Sequence, residues 1–470
     1  MSLGSQKQQW ADSITSGSVT TGPYWITAEP SQLNYVVNLN TGPTANITTA
    51  GWLQNSSANS SRTVVTTISN VSAKLWSVRV DGSYNINSYL LGGLASETSG
   101  NVFASGIFYA NSTNDYGHVS KFDSNGNFLW GKNFKDTTGA GKTVFDSTFN
   151  NIGFSSSGNL IVAGYTNWNP SFPSITNVAL LARINPSTGA LIWSKNIDNG
   201  TASGGTNYFD GLAFDSVDNI YVRSTMGSNG ILKFDSGGNL QWQNYGWSNS
   251  GGPDGASTSY IWTFGVDKSD RVWIGAQETF SGTSGCMLLV QTDSSGTINW
   301  ANKYWHPGYD RIQPQAMTFD VDDNAYVLAD IYVNNSQSTS FDMVIVKLNS
   351  AGSIIWSKLI YNASATVNDI PASIGINSEG HLIVTGWSNP SSTGLVMSFP
   401  RDGSDSGTYT ITSDVTITYA NTTAFTSNTS NAAFKSYSVG PVTSTGVLTT
   451  QSPNWVPAYP YLVTKYLPGS

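Results

Sequence analysis

A chain of 470 residues has room for three domains of about 150 residues, although all-β folds run longer per domain. Apolar residues make up 39% and include 16 Trp, 22 Tyr and 19 Phe, enough to bury a large core and to exclude wholesale disorder. Only 11% of residues are charged, and the net charge of −8 comes with no basic cluster, which argues against nucleic acid and anionic lipid as partners.

The polar load falls on Ser, Thr, Asn and 47 Gly, all poor in helix interiors, so the composition favours strands and tight turns. The single cysteine, Cys286, excludes an intramolecular disulfide and a thiolate metal cluster. No stretch approaches the roughly 18 apolar residues of a membrane-spanning helix, so no membrane insertion is expected. The start, MSLGSQKQQWADSITSGS, lacks the apolar core of a secretory signal. Its weakly charged, aromatic composition nonetheless suits the outside of a cell. A virus particle, assembled in the cytoplasm and released by lysis, reconciles the two, as do another secretion route and a removed signal.

Taken in chain order, residues 1–22 are polar and read as an N-terminal arm. A repeat then begins, each copy holding two strand–turn–strand units. The first copy (24–80) has TAEPSQLNYVV near Tyr35 and TISNVSAKLW ending at Trp76. The second (89–134) has ASETSGNVFAS near Val102 and KFDSNGNFLW ending at Trp130. The third (148–198) pairs FSSSGNLIVAG around Leu160 with RINPSTGALIW ending at Trp193. The fourth (208–247) pairs FDSVDNIYVRS around Ile220 with KFDSGGNLQW ending at Trp242. The fifth (260–305) has VDKSDRVWIGA around Val272 and QTDSSGTINW ending at Trp300. The sixth (314–361) has FDVDDNAYVLA around Tyr326 and KLNSAGSIIW ending at Trp356. The seventh (370–412) has INSEGHLIVTG around Ile383 and SFPRDGSDSGTY, which keeps Gly403 but puts Tyr409 near the aromatic position.

Asp, Asn or Ser opens each turn and Gly usually completes it. Four antiparallel strands in some 50 to 60 residues suit a propeller blade better than a solenoid coil. Runs such as Leu160-Ile161-Val162, Ile220-Tyr221-Val222 and Leu382-Ile383-Val384 fit strands buried on both faces. The expected fold is therefore all-β: a seven-bladed β-propeller over 23–412, with Trp76, Trp130, Trp193, Trp242, Trp300 and Trp356 packing blade on blade. Which terminal strand closes the ring is left open. Residues 413–470 form a β-rich C-terminal extension ending in PNWVPAYPYLVTKYLP, expected to pack on the ring or on a neighbouring subunit.

His118, His306 and His381 lie far apart and show no metal-binding or catalytic spacing, so structural roles are expected for all three. Asp320, Asp322 and Asp323, in the D-x-D-D-N loop, are the candidate calcium ligands. The competing role is turn formation, in which Asp and Asn bond their own backbone, and sister repeats put Ser and Glu in these turns. No other cofactor and no catalytic residue is expected. Trp168, Trp262, Trp273, Trp305, Tyr309 and Trp387 lie outside the docking set and are candidate glycan contacts, against a packing role on inner strands or between blades.

INPSTGALIW at 184–193 resembles the tryptophan-docking repeat of quinoprotein dehydrogenases, a likeness of packing and not of cofactor site. Asp293, Gly296 and Trp300 resemble the aspartate box of sialidases, but Asp and Gly stand three apart here where that box has them two apart. The alternation of SSGNLIVAGYT with ARINPSTGALIWSK, and the ending GLVMSFPRDGSDSGTYTIT, resemble the β-propeller-repeat virion proteins of tailed phages, especially phages of marine cyanobacteria. That resemblance covers about 24–412. It implies a non-enzymatic part of the tail, baseplate or fibre apparatus, located in the virion, and transfers no catalytic residue. The partners it implies are other virion proteins, met through the C-terminal extension and the loop faces, and host-surface glycans. Two alternatives remain: a lectin-like propeller on a bacterial surface, and a polysaccharide-degrading enzyme on the same scaffold.

Overall fold

A computed structural model of the chain describes residues 25–28, 33–41, 46–55, 60–69, 74–80, 89–111, 114–136, 145–166, 178–198, 208–225, 230–247, 259–279, 285–306, 309–335, 338–362, 367–389, 393–410, 416–422, 426–429, 434–435, 442–444, 448–451 and 464–466. The regular elements among them are all strands. After β1 (Trp25–Ala28) come β2 (Leu33–Asn40), β3 (Ile47–Asn55), β4 (Ser60–Ile68) and β5 (Lys74–Val80). Next are β6 (Tyr89–Ser96), β7 (Val102–Asn111), β8 (Asn114–Phe122) and β9 (Phe128–Asp136). Then follow β10 (Phe145–Phe154), β11 (Leu160–Thr166), β12 (Val178–Ile184) and β13 (Leu191–Asp198). The chain continues through β14 (Phe209–Phe214), β15 (Ile220–Ser224), β16 (Gly230–Phe234) and β17 (Leu240–Trp247). Beyond lie β18 (Ser259–Val266), β19 (Val272–Thr279), β20 (Gly285–Thr292) and β21 (Ile298–Trp305). Last in the repeat region are β22 (Arg311–Phe319), β23 (Ala325–Asn335), β24 (Ser338–Leu348), β25 (Ile354–Asn362), β26 (Asp369–Ile376), β27 (Leu382–Ser388), β28 (Thr393–Phe399) and β29 (Gly407–Thr410).

Successive strands pair antiparallel within the meanders β2–β5, β6–β9, β10–β13, β14–β17, β18–β21, β22–β25 and β26–β28, and the first strands of neighbouring meanders lie against one another. β2 packs on β6, β6 on β10, β10 on β14, β14 on β18, β18 on β22, β22 on β26, and β26 back on β2. That closed circuit is a β-propeller, with the first strand of each meander nearest the axis. The middle strands are buried on both faces, as their unbroken apolar runs require: all eight residues of β20 are buried. Outermost strands alternate instead: in β25 Lys358, Ile360 and Asn362 are buried, with Leu359 and Tyr361 half-buried between them.

The all-β class and the four-stranded antiparallel unit hold, but the expectation of a seven-bladed β-propeller is overturned: the strands make five hydrogen-bonded sheets, of four, ten, five, eleven and five strands. Two short parallel contacts fuse neighbouring meanders. Phe145 and Asp146 of β10 pair with Asn114 and Asp115 of β8, and Gly285 of β20 pairs with Arg311 of β22. The last repeat departs from its expected form as well. β29 leaves its sheet for the eleven-stranded one, where Tyr409 is paired in register with Ile417. β1 fills the vacated edge, pairing with β28 from Trp25↔Ser398 to Ala28↔Leu395. The sheet that ends the repeat region is thus completed by the strand that precedes it.

The C-terminal segment supplies β30 (Thr416–Asn421), β31 (Thr426–Thr429), β32 (Phe434–Lys435), β33 (Val442–Ser444), β34 (Leu448–Gln451) and β35 (Thr464–Tyr466). In order they pair with β25, β21, β17, β13, β9 and β5. The segment therefore runs backwards around the circumference and adds one strand to the outer edge of meander after meander. An uncovered strand edge is a template for pairing with another chain, and this belt removes it. Its first strand is anchored in the core, where Ile417 and Tyr419 are fully buried and the Tyr419 ring stacks on Phe399 at 4.0 Å. The expected arm, 1–22, lies outside the described residues.

Candidate functional site

Two sets of turns interlock at one axial end. In the first set an Asp or Asn carbonyl-bearing side chain closes the turn. The Asp123 carboxylate, for example, accepts the amides of Asn125 and Asn127 at 2.9 and 2.8 Å. Gly126 then takes a φ of +77°, which a side chain would strain. Each docking tryptophan lies against such a glycine in the following repeat: Trp76 with Gly126, Trp130 with Gly189, Trp193 with Gly238, Trp242 with Gly296, Trp300 with Gly352 and Trp356 with Gly403. The indole N–H of Trp76, Trp242, Trp300 and Trp356 also donates to a carbonyl of that turn or beside it, at 2.9–3.3 Å. Trp76 is fully buried and the other five are half-buried.

In the second set the left-handed position is held by glycine in some repeats and by Asp218, Asp270 and Asp323 in others, at φ of 61–66°. These aspartates bond the turn of the preceding repeat. Asp270 accepts the Ser216 amide at 2.7 Å and its hydroxyl at 2.6 Å, and Asp323 accepts the Ser269 hydroxyl at 2.5 Å. Asp218 accepts the Ser156 hydroxyl at 2.7 Å and the Ser157 amide at 3.1 Å, and its carboxyl is held at about 2; burial opposes that shift and the serine hydrogen bonds outweigh it. The electrostatic gain offsets a strained backbone.

The candidate calcium ligands are used in this way. Asp320 accepts the amides of Asp322 and Asn324 at 3.0 Å and the Tyr326 hydroxyl at 3.0 Å, while Asp323 also meets Arg271 at 2.9 Å. Among the described residues no group of three or more His, Cys, Asp or Glu could hold a metal ion.

A lysine outside the strand–turn–tryptophan motif completes the unit. Lys121, Lys233 and Lys347 immediately precede the two-residue entry to a docking turn. Each ammonium lies 4.9–5.0 Å over an aromatic ring, of Phe103, Tyr221 and Tyr326 respectively. Lys121 and Lys233 also meet a carboxylate, Glu97 at 2.8 Å and Asp215 at 3.3 Å, and donate to the next repeat at Pro186 O and Ser294 O. The same aromatic ring meets the docking indole edge-on, as in Tyr221–Trp242 at 5.9 Å. The signal was present in the sequence as the K-F-D and K-L-N triplets.

The glycan candidates separate. Trp273 is fully buried, its N–H donating to Asp267 at 2.9 Å and its ring 4.9 Å from Trp300; it is a core residue and not a surface contact. The slot is the one Tyr221 and Tyr326 occupy, six residues after the turn-opening aspartate. Trp305, Tyr309 and Trp387 are half-buried. Burial pushes the Tyr309 hydroxyl up to about 12, and its ring lies 4.7 Å from His306. Trp168 lies outside the described residues. Trp262 is 38% exposed.

Trp262 sits at a β-bulge. Each innermost strand skips a residue in its register: between Leu33 and Tyr35 and again Val36 and Asn38, between Leu91 and Gly93, Phe149 and Asn151, Phe209 and Gly211, Ile261 and Thr263, Pro314 and Ala316, and Pro371 and Ser373. Bulges re-aim side chains, and here they set residues such as Asn150, Asp210, Trp262 and Gln315 around the axis. Asn150 donates to the Phe209 carbonyl at 2.9 Å. Arg223 donates to Asp210 at 2.6 Å, to the Ile261 carbonyl at 3.3 Å and to the Trp262 carbonyl. Tyr208 precedes this strand, 6.1 Å from Tyr165 ring to ring; burial and the Asp210 charge push its hydroxyl upward. The cluster lies at the end of the strands opposite the interlocked turns.

Further round at that end are three acids. Burial raises Asp330 to about 6 against the opposing charge of Arg311. Burial and the neighbouring Asp369 raise Asp342 to about 7, and burial raises Asp369 to about 6. Asp369 accepts the Ser388 hydroxyl at 2.5 Å and the Asn362 amide. His118 is buried with its ring nitrogens on Asn133 and Ser120, and burial holds it down at about 4.

No family model and no curated protein matches the chain. Solved structures similar to it include the Dos1 propeller (10% identity, 82% of this chain and 97% of that one, TM-score 0.41). YCF48 bound to D1 peptide is another (9% identity, 82% and 100%, TM-score 0.42). A protein of unknown function from Bacteroides caccae is a third (13% identity, 52% and 74%, TM-score 0.31).

Proposed function

We propose that the chain is a non-enzymatic structural component of a tailed-phage virion, a stiff disc in the tail, baseplate or fibre apparatus that presents its rims to other virion proteins and to the host surface. The observation that supports it best is the double interlock: each docking tryptophan lies under a turn of the next repeat, and Asp218, Asp270 and Asp323 clamp the turn of the previous one. Such cross-links suit a part that transmits contacts without changing shape. The belt supports the same reading, since a part held at high local concentration has to keep its strand edges covered. The virion placement follows from the repeat resemblance and from the composition. Mass spectrometry of purified particles tests it. Recovery of this chain in stoichiometric amount with the tail proteins is expected, and particles that lack it would contradict the proposal.

A further inference from the structure

We propose that Tyr165, Tyr208, Tyr260 and Trp262, with the Asp210–Arg223 pair among them, form a binding site for neutral saccharides. The inference rests on the reading of the chain as a binding platform and specifies what one rim binds. The cluster is continuous across three repeats. Tyr165 of β11 lies 6.1 Å from Tyr208, whose hydroxyl feels the charges of Asp210 and Arg223, and Arg223 reaches the backbone of β18 at Ile261 and Trp262. It is also fixed in place: the guanidinium is tied to a carboxylate and two carbonyls of the adjacent repeat. On β18 two large aromatics flank a buried aliphatic residue and stay open to solvent. Tyr260 and Trp262 are 51% and 38% exposed while Ile261 between them is 5% exposed.

The chemistry selects the ligand. Flat aromatic faces match the C–H faces of a pyranose ring, and the phenol hydroxyls and the ion pair offer donors and acceptors to its hydroxyls. The Arg223 charge is already compensated by Asp210 at 2.6 Å, so among the described residues of the cluster an anionic sugar finds no unpaired cation. A neutral oligosaccharide fits these terms.

The test is titration of the full chain with maltohexaose, cellohexaose and mannohexaose, read by calorimetry and tryptophan fluorescence, with a heparin hexasaccharide as the anionic counter-probe. At least one neutral hexaose is expected to saturate. Trp262→Ala and Tyr208→Ala, each checked for an unchanged melting curve, are expected to weaken it by about tenfold. Ile355→Ser, an exposed outer-strand change elsewhere on the ring, should leave it unaltered. Silence of all three neutral probes at millimolar concentration, undiminished binding by both variants, or preference for heparin would each overturn the assignment. Incorporation of Trp262→Ala into particles separates the two ideas: a variant that is incorporated normally but binds no sugar leaves the platform reading standing.

Discussion

Trp76 lies directly beneath Gly126 of the next repeat, so close that a methyl group on the glycine would fall 2.6 Å from the indole ring. The indole N–H is at the same time 3.0 Å from the Ser124 carbonyl. One strand end thus grips the neighbouring turn by its face and by its edge.

The first prediction compares two glycines with the same backbone need. Gly126→Ala combines left-handed strain with a collision and should cost roughly 2–4 kcal/mol. Gly158 has a φ of +79° but no atom within 4 Å of the added methyl, so Gly158→Ala should cost only about 1–2 kcal/mol. Urea denaturation of both variants checks the difference, and equal losses would mean that the indole does not fill the space under the turn.

A second prediction concerns the repeated polar relay. Asp215 holds Lys233 at 3.3 Å and the Tyr221 hydroxyl at 3.1 Å, and both acid and lysine are buried. Asp215→Ala strands a buried ammonium and should destabilise the fold by about 3–5 kcal/mol. The double change with Lys233→Met should recover much of that loss, which a denaturation double-mutant cycle will show.

The third prediction is a pH dependence. Asp342 and Asp369 titrate at about 7 and about 6 in the folded chain, above the ordinary carboxyl value of 3.8. The folded state therefore holds their protons more tightly than the unfolded one. Their contribution to stability is complete below about pH 4 and is lost as pH rises through 6 and 7. Asp342→Asn should match the parent near pH 4 and exceed it at pH 8, measured as the shift in denaturation midpoint. A constant offset at both pH values would contradict the assignment.

The fourth concerns the belt. Deleting residues 413–470 uncovers β5, β9, β13, β17, β21 and β25, the strands with which the C-terminal segment pairs. Concentration-dependent association of the shortened chain is expected in light scattering, because bare edges pair with one another.

The strand–turn–tryptophan unit was legible in the sequence because Trp and Gly recur at fixed offsets from a turn-opening Asp or Asn. What the indole touches was not, since its partner glycine stands about 50 residues away in the next copy. From sequence Trp273 admits a glycan contact or a packing role, and its position six residues after Asp267, the buried slot of Tyr221 and Tyr326, decides for packing. Sheet fusion rests on one- and two-residue parallel contacts such as Gly285 with Arg311, too short to leave a pattern. The belt escaped for a related reason: its strands run from two to six residues and are rich in Thr and Ser, with no alternation to set their register. The β18 bulge, which sets the candidate sugar site, has no sequence signature beyond an exposed aromatic in an otherwise buried strand.

Hydrogen exchange of the full chain, followed by mass spectrometry, tests the closed and belted ring most directly. The account predicts slow exchange of the amides in β1 and in β30, together with β28 and β25 to which they are bonded, at concentrations where the chain is monomeric. Rapid exchange of β28 and β25 at the rate of free edges, with β1 and β30 unprotected, would contradict it.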